Sequence, residues 1–329
     1  MTTNSHRPKD PFPISIAPMM EWTDRHYRVF MRRITEKTLL YTEMVTTSAI
    51  LRGDRKRFLD FDPIEKPLIL QLGGDNPEDL AECSKIAEDF GYDGVNLNVG
   101  CPSDRVRDGH FGACLMAKPD LVRSCTEAMK SAVSIPVSVK HRIGINGLES
   151  YENLKNFIQV VSQSGIRDFT IHARIAVLGG LSPAQNRTIP PLRYEDVFQI
   201  KKEFPSLRIE INGGIRDLDI AGSLLEKVDA VMIGRAAYEI PYLFAGVDER
   251  FYFHSRPCPS RKEVMISMIP YLEEHISKGG KIHHVLRHTM GLFHGLPGGK
   301  YYRRKLTETM YSEFPSVKFL LDSAMEKVD

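Results

Sequence analysis

The stretch "GVNLNVGC", Gly94–Cys101, begins as a buried strand and ends on a single thiol. Its aliphatic residues are followed by Gly100, and Cys101 stands directly before Pro102. A short apolar run bounded by glycine and proline is typical of a strand inside a sheet. The stretch therefore predicts a buried strand with a cysteine at its carboxyl end, and the rest of the chain decides whether that thiol is structural or reactive.

Seven similar runs occur along the chain, and longer amphipathic stretches separate them. The runs are Ile14–Pro18, Leu39–Val45, Pro67–Gly73, Pro136–Arg142, Asp168–Arg174, Arg208–Gly214 and Ala230–Arg235. Among the intervening stretches, Asn76–Phe90 has Pro77 at a first helical position, and Lys118–Ala132 repeats its apolar residues at helical spacing. Strands that alternate with helices in this way predict a parallel sheet.

The number of strand–helix units decides between two parallel folds. Eight units over about 230 residues match the size of an α/β fold of the TIM (β/α)8 barrel type. The rival is a doubly wound sheet, which usually has a GxGxxG turn after its first strand. The first strand here leads into "APMMEWTD", Ala17–Asp24, which is unlike that turn. The sequence therefore predicts the barrel.

The alternation of strands and helices ends near Asp248. The segment "SRPCPS", Ser255–Ser260, predicts a linker, and Arg261–Lys327 contains helical patterns punctuated by "KGG" and "LPGGK". We therefore predict a TIM barrel over residues 1–250, followed by a small all-helical C-terminal domain over residues 256–329.

The composition excludes several classes of protein. Lys and Arg total 44 against 42 acidic residues, a net charge of +2, so any nucleic-acid surface has to be local, as at Lys300, Arg303, Arg304 and Lys305. The polar amino terminus and the lack of a long apolar run predict a cytoplasmic protein without a membrane span. No CxxC or HExxH spacing occurs, so neither a disulfide framework nor a metal site is expected. No obligatory protein partner is indicated.

Polar residues stand at the carboxyl ends of the predicted strands. Because the chemistry of a TIM barrel takes place at those ends, residues there meet at one opening and together favour a ligand site. Any one of them alone is equally well explained as a hydrogen-bonded polar plug. The set comprises Pro18, Met19, Met20, Glu43, Gln71, Asn96, Asn98, Lys140, Arg142, His172, Arg174, Asn212, Gly213, Gly214, Gly234 and Arg235.

Two parts of this set indicate the kind of ligand. The glycines in "INGGI" and "MIGRA" follow the last two strands, where many barrels bind a phosphate through backbone N–H groups, and Arg235 adds a fixed positive charge. Gln71 and Lys140 suit the rim of a flat heteroaromatic ring, because an amide both donates and accepts and an ammonium stabilises negative charge on a reduced ring. A phosphate joined to such a ring suggests flavin mononucleotide (FMN).

The setting of Cys101 differs from that of the other four cysteines. Cys83 and Cys125 fall in helical patterns, Cys114 lies in a small-residue stretch, and Cys258 in the linker has no assigned role. No histidine base stands beside Cys101, since His110 is nine positions later. If a flavin supplies hydride, an acid is therefore the better role for Cys101 than a nucleophile.

Ten stretches in order along nearly the whole chain resemble the tRNA-dihydrouridine synthases, specifically the A subfamily. They are "APMMEWTDRHYR", "LYTEMVTT", "LQLGG", "NLNVGCPSDRV", "GACLM", "SVKHRIGI", "IHAR", "LSPAQNRTIPPL", "INGGI" and "GRAAY". The resemblance implies FMN-dependent reduction of the C5–C6 double bond of uridines 20 and 20a in the D-loop of tRNA, with NADPH as the reductant.

The resemblance also implies roles for individual residues. Cys101 matches the proton donor to C5, while reduced FMN gives hydride to C6. Lys140 and His172 match flavin contacts near the reacting uracil, and the remaining FMN contacts match Pro18, Met19, Met20, Gln71, Asn212, Gly213, Gly214, Gly234 and Arg235. For tRNA, the matching positions are Asn98, Arg187, Lys300 and Arg303. Ala184 departs from the pattern, because a lysine often stands there, and this bears on affinity more than on activity.

The segment "KYYRRKL", Lys300–Leu306, interleaves cations with Tyr301 and Tyr302, which suits phosphate contacts and packing against bases or ribose. From its composition alone, such a basic helix face is more often solvated surface. Two other functions stay open: a barrel flavoprotein that reduces a free pyrimidine, and an RNA-binding module with a vestigial flavin site.

Overall fold

The computed structural model describes residues 10–103, 109–255, 257, 259–311 and 316–328. Its strands are β1 Ile14–Ile16, β2 Leu40–Thr46, β3 Leu68–Gly73, β4 Gly94–Val99, β5 Val137–Arg142, β6 Asp168–His172, β7 Arg208–Asn212 and β8 Ala230–Ile233. Among the described residues they form one parallel sheet in the order β1-β8-β7-β6-β5-β4-β3-β2. A parallel bridge between Ser15 and Leu39 joins β1 to β2. The sheet therefore closes, and the predicted TIM barrel is confirmed.

Helices connect the strands and continue after the barrel. The α-helices in the described ranges are Arg25–Ile34, Thr47–Arg52, Arg55–Leu59, Pro77–Asp89, Pro119–Ala132, Tyr151–Ser162, Tyr194–Glu203, Leu218–Leu225, Arg235–Glu239, Val247–Tyr252, Arg261–Ser267, Ile269–Ser277, His283–Leu286, Gly299–Thr309 and Val317–Ala324. The two helices predicted above are confirmed. The first begins at Pro77 because the Asn76 side chain accepts the N–H of Asp79 at 2.9 Å and caps it.

Several strands end before the sequence runs that predicted them. Pro18 lies beyond β1 because it has no N–H for the ladder. Gly213 and Gly214 lie beyond β7 because their φ angles of 117° and 73° are far from those of a strand. The residues of the predicted strand-end set therefore occupy the loops above the barrel as well as its last ladder positions.

The barrel interior below these loops is filled by packed side chains. Tyr41, Ile69 and Met232 form a buried apolar cluster there. Glu210 is fully buried among them and accepts hydrogen bonds from Ser15 at 2.7 Å and Thr170 at 2.5 Å. Because the interior is filled at this level, a ligand can enter only from the carboxyl ends of the strands.

The region after the barrel is helical, as predicted, and it packs beside the opening. Arg287 and His288 bind the carboxylate of Asp24 at 2.5 and 3.0 Å. Trp22 lies in the same loop and stacks on Tyr238 with ring centroids 4.5 Å apart. The contacts with Asp24 tie the helical region to the loop that follows β1, so it borders the opening of the barrel. Cys258 lies outside the described residues.

Candidate active site at the barrel mouth

The structure brings the predicted FMN-binding residues and Cys101 to one opening, which we call the barrel mouth. Each lies in the upper part of a strand or in the loop that directly follows one, and parallel strands place all these ends on the same side. The residues concerned are Pro18, Met19, Met20, Gln71, Asn98, Cys101, Lys140, His172, Asn212, Gly213, Gly214, Gly234 and Arg235. Arg187 lies in the loop after β6 and reaches the same opening.

The backbone of Gly100 and Cys101 is held by four hydrogen bonds. The N–H groups of both residues donate to Asn98 Oδ1 at 3.0 Å. Arg142 Nε donates to the carbonyl of Gly100 at 3.2 Å, and Ala113 N donates to that of Cys101 at 3.0 Å. Every backbone polar atom of this pair is therefore satisfied, which fixes the position from which the thiol extends. The thiol itself is partly exposed, with Sγ 3.5 Å from the hydroxyl of Ser103.

Arg142 connects the loops that follow β4 and β6. Besides the carbonyl of Gly100, its guanidinium donates to the carbonyls of Ile175 at 3.0 Å and Asn186 at 2.9 Å. Burial, despite the nearby thiol of Cys101, lowers the pKa of Arg142 to about 10. Its described partners are carbonyls, so in this structure Arg142 positions the loops that carry Cys101 and Arg187. The sequence placed Arg142 at the mouth but could not indicate this role.

Lys140 and His172 share a cationic environment at the mouth. Burial and the nearby Arg142 cation lower the pKa of Lys140 to about 8. Burial, together with the cations of Arg142 and Lys140, lowers the pKa of His172 well below its usual value, so its ring is neutral at pH 7. The hydrogen bond described for Lys140 Nζ is a long one, 3.4 Å to Asn212 Oδ1. An ammonium with so weak a partner retains donors for an anionic or carbonyl acceptor.

The loop after β7 requires its two glycines. A Cβ atom at Gly213 would lie 2.7 Å from the ring of His172, and one at Gly214 would lie 2.5 Å from Leu192 Cδ1. Both residues also have φ angles that other residues avoid. The main chain at Gly213 and Gly214 therefore lies close to the mouth. Arg235 begins the helix that follows β8, and its Nη2 donates to the carbonyl of Arg187 at 3.4 Å. Close backbone and a cation are the arrangement that phosphate sites use.

The loop after β1 is shaped by Glu43. Its carboxylate accepts the backbone N–H of Glu21, a residue held at the left-handed φ of 66°. This turn leaves Met19 partly exposed and Met20 exposed at the rim. The sequence placed Glu43 among the polar strand ends. In the structure its carboxylate holds the loop after β1 through Glu21.

Asn186 organises the loop that carries Arg187. It is fully buried, its Oδ1 accepts the N–H of Val177 at 2.8 Å, and its Nδ2 donates to the carbonyls of Val177 and Leu181 at 3.0 and 3.1 Å. Arg187 and Ala184 are both exposed beside it. Sequence reasoning missed Asn186; its only signal was an asparagine directly before the predicted contact Arg187.

Two of the cations predicted for tRNA, Lys300 and Arg303, lie on one side of the helix Gly299–Thr309. Lys300 and Arg303 are exposed, and none of the ion pairs among the described residues involves them. The suggestion that Tyr302 packs against RNA is wrong: this residue is fully buried, and its hydroxyl donates to Thr289 Oγ1 at 3.1 Å. Tyr302 therefore anchors the helix, and Tyr301 is the partly exposed ring of the pair.

Other titratable residues lie away from the mouth. His141 points outward from β5 and packs against Phe157, with ring centroids 4.9 Å apart. Burial raises the pKa of Cys83 and of Cys125 to about 12, as expected for structural thiols. Within the described ranges there is no group of histidine, cysteine and acidic side chains that could hold a metal ion. Nor do those ranges contain a helix long and apolar enough to span a membrane.

Comparisons with known proteins agree on one family. The family model for dihydrouridine synthase (Dus) matches residues 15–325. A Synechocystis protein named tRNA-dihydrouridine(20/20a) synthase is 58% identical over 297 residues, covering 90% of this chain and 89% of that protein. Proteins of the same name from Pseudomonas aeruginosa and Shewanella oneidensis are 52% and 54% identical, covering 95% and 90% of this chain and 94% and 88% of their own length.

Among solved structures, the crystal structure of TcOYE with pHBA has a similar fold. Its TM-score is 0.51 at 12% identity, and the match covers 73% of this chain and 89% of that chain. At this identity the likeness bears on the barrel fold alone.

Proposed function

The chain belongs to the dihydrouridine synthase family, and we propose that it reduces uridines in tRNA to dihydrouridine. The observation that carries the proposal is the family match over residues 15–325, together with a held cysteine at the mouth of the barrel. The names of its relatives make uridines 20 and 20a the expected targets. NADPH is the proposed reductant.

The residues at the mouth fit FMN. Gln71 is buried with its side chain in the interior, and after its two bonds to neighbouring amides it retains one N–H and one acceptor position. Lys140 retains donors toward the same space, as described above. Gly213, Gly214, Gly234 and Arg235 offer close backbone and a cation for the phosphate. Pro18, Met19, Met20, His172 and Asn212 complete the proposed contacts.

A reduced flavin bound there would supply a hydride for C6 of the uracil. Cys101 Sγ–H would donate its proton to C5 and be left as a thiolate, so that the hydride and the proton together add two electrons and two hydrogens across the double bond. The four hydrogen bonds on Gly100 and Cys101 keep the thiol in place for this transfer. Lys140 keeps positive charge beside the ring, and Asn98 has one N–H left for the uracil after its described bonds.

A uridine in folded tRNA has to leave its stack to reach such a site. The exposed cations Arg187, Lys300 and Arg303 are proposed to bind the tRNA backbone around the mouth while the base enters. The division into a barrel of residues 1–250 and a helical tRNA-binding domain of residues 256–329 belongs to this proposal, as does a cytoplasmic location.

The direct test is to incubate the purified protein with NADPH and unmodified tRNA, and to measure dihydrouridine by nucleoside mass spectrometry and reverse-transcription stops. Dihydrouridine at positions 20 and 20a, with a flavin spectrum in the protein, is the expected result. Turnover of free uracil derivatives instead would mean a free-pyrimidine reductase. A colourless protein that binds tRNA without product would mean a binding module.

Reversing the charge of the helix Gly299–Thr309 is expected to weaken tRNA binding without disabling the chemistry. In the double variant Lys300→Glu, Arg303→Glu we expect the KM for tRNA to rise at least tenfold and kcat to stay within about threefold, because phosphate contacts supply affinity. Steady-state kinetics at two salt concentrations measures both values.

The control is Lys278→Glu, an exposed lysine directly after the separate helix Ile269–Ser277. Its KM is expected to stay near that of the wild type. An unchanged KM in the double variant would remove this helix from the proposed tRNA surface.

A further inference from the structure

Three polar side chains of the barrel interior lie in one row across adjacent strands. Gln71 of β3 is opposite Asn96 of β4, and Asn96 is opposite Ser138 of β5 in the sheet register. All three are buried, and Asn96 has no exposed surface at all. A ligand in the barrel mouth therefore cannot touch Asn96 directly.

Hydrogen bonds join this row to the loop of Cys101. Asn98 Nδ2 donates to Gln71 Oε1 at 2.8 Å, and Gln71 Nε2 donates to Asn96 Oδ1 at 2.8 Å. Asn96 Nδ2 donates to Ser138 Oγ at 2.9 Å, and the Ser138 hydroxyl donates to the carbonyl of Val95 at 3.4 Å. We call this chain of four side chains the amide relay.

The two ends of the amide relay fix its direction. Asn98 Oδ1 faces the N–H groups of Gly100 and Cys101, so only an oxygen satisfies that side. Asn98 Nδ2 must then donate to Gln71 Oε1, and Gln71 Nε2 must in turn donate to Asn96 Oδ1. Ser138 ends the chain because a hydroxyl can accept one hydrogen bond and donate the next. Each amide is thereby held in one of its two orientations, in surroundings where an unpaired polar group is costly.

We infer that Asn96 and Ser138 are positioning residues for the reaction: they fix the side-chain amides of Gln71 and Asn98, and through Asn98 the turn that carries Cys101. This inference rests on the proposed function for its link to catalysis. The relay connects Gln71, whose amide is proposed to contact the flavin, with Cys101, whose thiol is proposed to donate the proton. Substitutions at Asn96 or Ser138 are therefore expected to disturb the chemical step more than the binding of tRNA, which depends on exposed cations.

The test uses flavin-loaded protein with Ser138→Ala, Ser138→Thr and Asn96→Leu. Ser138→Ala removes the terminal acceptor, and Asn96→Leu interrupts the relay with a side chain of similar size. We expect kcat for dihydrouridine formation to fall roughly tenfold in both, with the KM for tRNA within about twofold, because a small displacement of reacting groups lowers the rate. Ser138→Thr keeps the hydroxyl and is expected to restore kcat to near the wild-type value.

A second readout does not need the tRNA reaction. The rate of Cys101 alkylation by iodoacetamide, measured by peptide mass spectrometry, is expected to rise about threefold or more in Ser138→Ala, because a loosened turn exposes the thiol. If the wild type made no dihydrouridine, the proposed function would fail, while this alkylation rate would still report on the relay.

The matched control is Ser84→Ala. Ser84 is a fully buried serine that donates to a backbone carbonyl, here that of Leu80 at 2.7 Å, but it lies in the helix Pro77–Asp89 outside the barrel interior. Its kcat and alkylation rate are expected to match the wild type. Wild-type kcat and alkylation rate in Ser138→Ala would overturn the inference. The inference would also be overturned if Ser138→Ala and Ser84→Ala lost kcat to the same extent, in proportion to the fall in their melting temperatures.

Discussion

The variant Cys101→Ala is expected to form dihydrouridine at least a hundred times more slowly than the wild type, since a positioned general acid contributes roughly a hundredfold or more. Its flavin content and its KM for tRNA should stay within about twofold. Among the described residues, the hydrogen-bond neighbour of the thiol is the partly exposed hydroxyl of Ser103 at 3.5 Å and not a buried group. The loss would therefore belong to the chemical step.

Rapid-mixing measurements separate the two half-reactions for this variant. Flavin reduction by NADPH should proceed at the wild-type rate, because it does not use the thiol, while reoxidation by tRNA slows. Cys114→Ala is the control, since Cys114 is a partly exposed thiol whose Sγ lies 3.1 Å from the carbonyl of Phe111 and has no proposed part in the reaction. A Cys101→Ala variant that kept more than a tenth of the activity would show that another group supplies the proton.

The second large effect is expected at Lys140. Replacing it with methionine removes the ammonium from the mouth and should lower turnover roughly a hundredfold, the usual effect of losing one preorganised charge donor. Because burial lowers the pKa of Lys140 to about 8, the ammonium form dominates below that pH and is lost as the pH rises through it. Wild-type activity should accordingly fall above about pH 8.

The conservative variant Lys140→Arg identifies the group behind this fall. A guanidinium stays protonated across the measured range, so the alkaline decrease should become clearly smaller in Lys140→Arg, even if its maximal rate is lower. Turnover measured from pH 6 to pH 10 in all three proteins decides the matter. The same alkaline decrease in Lys140→Arg as in the wild type would assign it to a different residue.

The elements that could be predicted from the sequence are those with local causes. Alternation of short apolar runs with amphipathic stretches is visible in any segment, and all eight strands were placed within about two residues. Cys101 stood out because of its own neighbours, Gly100 and Pro102. The glycines after β7 were recognised as a place of close backbone approach, and their φ angles agree with that.

What the sequence could not predict depends on contacts between distant segments. Tyr302 and Tyr301 are adjacent, yet one is fully buried and the other lies at the surface. His141 alternates with Lys140 and Arg142 and so points out of the barrel. In each case the direction and burial of the side chain depend on which side of the helix or strand packs against the rest of the molecule. The residue type alone does not determine that side.

By itself, the sequence determined the barrel, the opening at which its polar strand ends meet, and the cysteine proposed as the acid, because periodicity and turn chemistry act over a few residues. Only the tertiary structure decided what holds that cysteine. Arg142 reaches carbonyls 42, 33 and 44 positions away in the chain, and the amide relay crosses three strands. Such bonds exist only once the strands are in register, because hydrogen bonds depend on distance and angle in space and not on spacing along the chain.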